Sequence, residues 1–293
     1  MVVDKALWIE GVIKRFIDES PENTLRNEEN DKAWANPLVG FSSGSDPLYE
    51  FYKADIGDFF LSPLDIFNRS FPEIQVAPNE ITVISWILPQ TEMTKTEQRK
   101  RIEFTGERWT RARLYGEEVN DKLRKHVVTT IMEAGFKAVA PLLSPLFKSE
   151  KSQRYGYAST WSERHAAYAA GLGTFGLCDG LITPVGKAMR CGSVIANIEI
   201  PPSKRNYTNH REYCLFYSNG TCGKCIQRCP VGAISETGHD KVKCRSFLDV
   251  TREYVKTAFN LNGYGCGLCQ TRVPCESGIP NKHIRSKTHP KII

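Results

Sequence analysis

Apolar residues Leu7, Trp8, Val12, Ile13, Phe16 and Ile17 recur at helical spacing between Lys5 and Asp18, and Ser20-Pro21 closes the pattern. An amphipathic helix is expected there. The polar stretch from Asn23 to Asn36 reads as a loop. The run Glu80-Ile81-Thr82-Val83-Ile84-Ser85-Trp86 is rich in β-branched residues and reads as a buried strand ending at Pro89. From Lys95 to about Glu133 the period is helical again. A second strand is expected from about Lys137 to Leu143. A proline-containing loop then leads past Tyr155 and Tyr157 into a helix from Trp161 to Ala170, followed by short strands at Leu181-Ile182-Thr183 and from Ser193 to Ile200. Pro201-Pro202-Ser203 and the polar run to Arg211 read as a linker. The pattern describes an α+β chain in two parts, residues 1–205 and 206–293, without internal repeats or low-complexity segments.

With 293 residues and 41% hydrophobic content, the chain can bury a substantial core. No stretch approaches the roughly 20 apolar residues that span a bilayer, and Asp4 and Glu10 interrupt the N-terminal apolar positions, so no membrane association and a cytoplasmic location are expected. The net charge of +6, from 39 basic and 33 acidic residues, permits an anionic partner without requiring one. Arg99, Lys100, Arg101, Arg108, Arg111 and Arg113 could meet phosphate groups but read first as a solvated helix face.

The segment Gly171-x-Gly173-x-x-Gly176 has the spacing of a dinucleotide fingerprint. Its context argues otherwise. It follows a helix and precedes a strand, whereas pyrophosphate binding needs a strand, a glycine turn and then a helix N-terminus. The glycines are expected where backbone approaches something flat or closely packed.

Eight of the ten cysteines crowd the last eighty residues, as Cys214, Cys222, Cys225, Cys229-Pro230, Cys244, Cys266, Cys269 and Cys275. In a reducing compartment such density points to metal rather than disulfides. Cys222-x2-Cys225-x3-Cys229-Pro230 matches part of the bacterial ferredoxin run, in which the cysteine before proline ligates the other cluster. That rule assigns Cys214, Cys222, Cys225 and Cys275 to one 4Fe-4S cluster, and Cys229, Cys244, Cys266 and Cys269 to a second. Zinc is the rival, since the two C-x2-C pairs resemble zinc knuckles, but it leaves the other cysteines without a common explanation. Cys178 and Cys191 have no cysteine at ligand spacing and are expected to be small buried hydrophobes.

The run Glu163-Arg164-His165-Ala166-Ala167-Tyr168-Ala169-Ala170-Gly171-Leu172-Gly173-Thr174-Phe175-Gly176, then Leu181-Ile182-Thr183-Pro184, the cysteines and Tyr264-Gly265-Cys266, resembles the epoxyqueuosine reductase and reductive dehalogenase superfamily. The resemblance covers roughly residues 134–280. It implies a nitroreductase-like cobalamin-binding domain followed by a ferredoxin-like domain whose clusters pass electrons to cobalt. Gly171, Leu172, Gly173, Thr174, Phe175, Gly176, Leu181, Ile182, Thr183, Pro184 and Ser193 match the segments that line the corrinoid, and FMN is the less favoured occupant. Tyr157 falls where the epoxyqueuosine reductases carry a proton-donating aspartate, and a phenol held against developing charge can donate at neutral pH; read without the resemblance it is a packing aromatic. The implied partners are an electron donor such as ferredoxin or flavodoxin and a small or nucleoside-like substrate, with tRNA a further candidate. The alternative is an electron carrier or reductive activator of a partner corrinoid protein, without a substrate of its own.

Three features depart from the family pattern. Seven residues separate Cys214 from Cys222, and Val273-Pro274-Cys275 replaces a cysteine directly before proline. The chain also reads as a short, divergent member without the C-terminal helical-repeat extension, which weighs against tRNA.

Overall fold

A computed structural model describes residues 4–281. Its first helix, α1 (Lys5–Glu19), follows the expected amphipathic pattern, and the Asp4 carboxylate caps it by accepting from the amides of Ala6 and Leu7. After the loop come β1 (Leu38–Ser43), α2 (Pro47–Ile56) and α3 (Pro63–Ser70). Each of these two helices starts with proline at its first position behind a capping Asp46 or Ser62. The strand β2 (Thr82–Pro89) is buried at every position.

The helical pattern after Lys95 is not one helix. It divides into α4 (Glu92–Arg99) and α5 (Glu107–Glu133), because the chain turns through residues 100–106 and restarts after Gly106, which has no side chain to cap it. The caps come from α4 instead: Gln98 Oε1 accepts from the Gly106 amide at 2.8 Å and Glu97 Oε1 from the Glu107 amide at 2.6 Å. The strand expected from Lys137 to Leu143 shortens to β3 (Ala138–Val139) before a 3-10 turn at Pro141–Leu143. The loop before Tyr157 is instead a hairpin, β4 (Ser149–Ser152) and β5 (Gly156–Ser159). Then follow α6 (Glu163–Ala169), a small hairpin β6 (Thr174–Phe175) and β7 (Leu181–Ile182), and β8 (Met189–Ala196).

Four strands form one antiparallel sheet in the order β1-β2-β8-β3. Alternation sends Ile84, Trp86 and Leu88 of β2 into a core with α1 and α5, and Val83 and Ile87 into cores with α2, α3 and α6. Burial on both faces explains why β2 reads as a continuous apolar run rather than an alternating one. The stretch expected as a linker is packed too. The Ser203 amide donates to the Phe41 carbonyl, its hydroxyl accepts from the Phe41 amide, and Arg205 pairs with Asp46.

The remainder carries the clustered cysteines on short elements: α7 (Leu215–Asn219), α8 (Lys224–Arg228), the hairpin β9 (Ile234–Ser235) and β10 (Gly238–His239), and the long helix α9 (Lys241–Phe259). Among the described residues no helix is long and apolar enough to cross a membrane.

Inside the first part, the buried Arg124 of α5 meets Glu117, Asp121 and Glu163 and donates to the Cys191 carbonyl. Removing one member of such a network leaves uncompensated buried charge. Arg124→Ala is expected to cost about 3–5 kcal/mol, read by chemical denaturation of the metal-free protein.

Candidate functional site

Four cysteines from three separate segments line one partly open cavity: Cys214 at the start of α7, Cys222 and Cys225 around the start of α8, and Cys275 near the end of the described chain. Leu177, Ile182, Phe216 and Val273 add apolar surface to it. These are the four cysteines that the ferredoxin spacing rule groups together. Of the other four, Cys229 follows α8, Cys244 lies on α9, and Cys266 and Cys269 flank a left-handed Gly267. Cys244 and Cys229 add their charge to a burial effect that pushes the Cys266 thiol up to about 11. Among the described residues no three Cys, His, Asp or Glu side chains converge at single-ion distance.

One residue was misread. Cys178 is buried, as expected, but it is no isolated apolar filler: its sulfur accepts from Lys187 Nζ at 3.1 Å and packs in one cluster with Cys225 and Cys269. Cys225, Cys269 and Lys187 together hold its thiol well below the ordinary range. Cys178 therefore packs with one member of each spacing-assigned set. Only the fold could reveal this, because it is carried by the β6–β7 hairpin, far from the other cysteines in sequence. Cys191 behaves as expected: it is buried on β8, and burial pushes its thiol up to about 12.

Just after the β6–β7 hairpin, the turn before β8 is joined to the segment around Cys275. The Lys187 amide donates to the Cys275 carbonyl at 2.8 Å, and the Ala188 amide donates to the Glu276 carbonyl at 3.2 Å. Gly186 makes the approach possible. Its φ is +89°, and an added Cβ would lie 2.0 Å from the Glu276 carbonyl oxygen.

The basic residues of α4 and α5 are not a free solvated face. Arg99 pairs with Glu276, Arg108 with Asp31, and Arg111 with Glu107. Several side chains of these helices grip the cysteine-bearing part: Gln98 Nε2 donates to the Cys266 carbonyl at 2.6 Å, Lys95 Nζ to Ser277 Oγ at 2.8 Å and Arg113 to the Tyr264 hydroxyl at 2.8 Å. Arg228 of α8 answers by donating to the Arg101 carbonyl.

The glycine-rich segment and Leu181–Thr183 do come together, as β6 and β7. Their close approach is to each other. A Cβ on Gly173 would lie 2.2 Å from the Ile182 carbonyl oxygen, and Leu172, Thr174, Gly176, Leu181, Ile182 and Thr183 are all buried. Gly171 and Phe175 are part-exposed, and Pro184 is exposed. Ser193 lies inside the sheet, where its hydroxyl accepts from Trp161 and donates to Glu163. This is support behind the hairpin, not a lining surface.

Tyr157 is on β5 with 52% of its surface exposed, and its carbonyl accepts from Lys241 Nζ at 3.3 Å. Beside it runs a polar seam of Arg164, Asp179 and His239. Arg164 donates to the Asp179 carbonyl, and His239 lies 3.1 Å from the Asp179 carboxylate. Next to Arg164 in sequence, His165 meets the rings of Tyr52 and Phe60 edge-on and that of Phe175 at a tilt. The sequence pattern did not single it out.

No family model matches the chain. Over 139 residues it is 31% identical to the epoxyqueuosine reductase of Bacillus cereus, a match covering 45% of this chain and 34% of that protein. Over 122 residues it is 32% identical to the epoxyqueuosine reductase of a Synechocystis species, covering 39% and 37%. The resemblance to the epoxyqueuosine reductase and reductive dehalogenase superfamily holds. The chain spans about a third of the length of the curated relatives it matches. A catabolic reductive dehalogenase solved with 3-bromo-4-hydroxybenzoic acid superposes with a TM-score of 0.53 at 12% identity, over 94% of this chain and 37% of the other. That likeness is one of fold.

Burial lowers the His165 pKa to about 3, the charge of Arg164 adding to it, whereas an unfolded histidine titrates near 6.5. Below about 6.5 the unfolded chain binds the extra proton, so stability falls as pH drops through this window and is retained above it. Ring resonances of His165 should show the neutral form at pH 5 by NMR; a protonated ring there would refute the assignment.

Proposed function

We propose that this chain is an iron–sulfur reductase acting like its epoxyqueuosine reductase and reductive dehalogenase relatives, with two 4Fe-4S clusters held by Cys214, Cys222, Cys225 and Cys275 and by Cys229, Cys244, Cys266 and Cys269. The observation that carries the reading is the cavity shared by the first four cysteines. A cluster sits between its thiolates and holds them farther apart than a single ion does, and a cavity lined by four sulfurs suits that donor geometry. Bound clusters would supply one-electron transfer. The chain's own residues limit water's access to the sulfurs with Leu177, Ile182, Phe216 and Val273, and fix the Cys275 segment through the amides of Lys187 and Ala188.

The proposal includes an electron donor of the ferredoxin or flavodoxin class and a small or nucleoside-like substrate, with epoxyqueuosine in tRNA a candidate from the relatives' name. The relatives are named as reductases, which disfavours an electron carrier lacking a substrate. Cobalamin is proposed as the second cofactor from the resemblance alone, with FMN as the less favoured alternative. The glycine segment is a poor fit to a corrin here because Gly173 is closed against Ile182 and Ser193 is sealed inside the sheet. No step is derived through it. Tyr157 is proposed as the proton donor, its exposed phenol borne on a strand that Lys241 ties to α9.

Protein purified without oxygen and reconstituted with iron and sulfide should contain about eight iron per chain, and Cys225→Ala and Cys269→Ala should each lose about four. Zinc in place of iron would overturn the reading. Tyr157→Phe should retain full iron while kcat falls about 10²-fold or more, the range typical of general acid catalysis. An unchanged kcat removes Tyr157 from the proposed role.

A further inference from the structure

Lys187 is 2% exposed, and among the described residues its ammonium pairs with no carboxylate. It lies instead among sulfurs, with Nζ donating to Cys178 Sγ at 3.1 Å, and Lys187 lines the same cavity as Cys214, Cys222, Cys225 and Cys275. A buried cation without a carboxylate partner is costly to a fold and persists where something local compensates it. The route that brings it there is itself specific. A Cβ on Gly180 would lie 2.8 Å from Lys187 Cδ and 3.4 Å from Cys178 Sγ, so the lysine stem runs through space that only glycine leaves open. The backbone of the same residue is pinned by its amide bond to the Cys275 carbonyl, which fixes the lysine relative to that cysteine.

We propose that Lys187 is a potential-setting residue: its buried positive charge, set in the wall of the four-cysteine cavity, raises the reduction potential of the cluster held by Cys214, Cys222, Cys225 and Cys275. This rests on the cluster reading and deepens it. Reduction adds one electron, and hence one negative charge, to the cluster, with no bond formed or broken; the electron comes from a one-electron reductant, dithionite in the test below. A cation fixed in the wall of that cavity stabilises the reduced state more than the oxidised one. Lys187 thus acts on the cluster rather than on substrate. Cys178 accepts from the ammonium and is not a ligand.

The test is a redox titration of reconstituted protein, followed by electron paramagnetic resonance, alongside iron and acid-labile sulfide counts. Lys187→Met should keep the iron count of the wild type while the reduction equilibrium of one cluster shifts at least tenfold toward the oxidised form, about 59 mV for a one-electron couple. Gly180→Ala keeps the charge but displaces the stem, and should shift the same cluster in the same direction by less. Lys187→Arg should recover part of the loss. Cys178→Ala should retain full iron. Unchanged midpoints in Lys187→Met and Gly180→Ala with clusters intact would overturn the proposal, as would loss of about four iron in Cys178→Ala, which would make Cys178 a ligand. If Lys187→Met fails to assemble, an unshifted midpoint in Gly180→Ala reduces Lys187 to a structural role. Absence of iron from the wild type is a different result, and sinks the cluster reading itself.

Discussion

The contact on which the rest of the molecule depends is the backbone junction between the turn before β8 and the segment around Cys275. Two amides from the sheet-bearing part meet two carbonyls of the cysteine-bearing part, and only a glycine at position 186 lets the chains come that near. Because β8 is a central strand, buried on both sides, the position of Cys275 is referred directly to the interior of the sheet. A cysteine at the end of a long irregular segment would otherwise wander. Here it is held to the core by the shortest available path.

The helices reinforce that junction from the other side. The side chains of α4 both cap α5 and hold the carbonyl of Cys266, so a single short helix serves the internal order of the first part and the placement of the second. This is why the arginines and lysines that read as a solvated stripe are engaged. Their length lets the stems cross apolar surface while the charged ends reach partners on another element. Periodicity identifies which face of a helix is apolar, but it does not say what a polar face will meet.

The legible parts of the sequence were those governed by local rules. The first helix and the buried run of β2 follow from spacing and composition alone. The break at Gly106 was missed because its caps come from Glu97 and Gln98 rather than from the restarting helix. Cys178 was missed for the same kind of reason: the cysteines it packs with lie about fifty to ninety positions later. Where several segments must converge before a contact exists, no window along the chain contains the signal.

The pairing of β2 with β8 also sets a timetable. Thr82 finds Ala196 across more than a hundred intervening residues, so closure of the sheet carries the entropic delay of a long loop. Gly186 and Lys187 sit just ahead of β8 and cannot take their places until that strand has zipped in. The docking of Cys275 is thereby made a late event in the life of the newly made chain. Until then the Cys275 thiol has no fixed place among its neighbours.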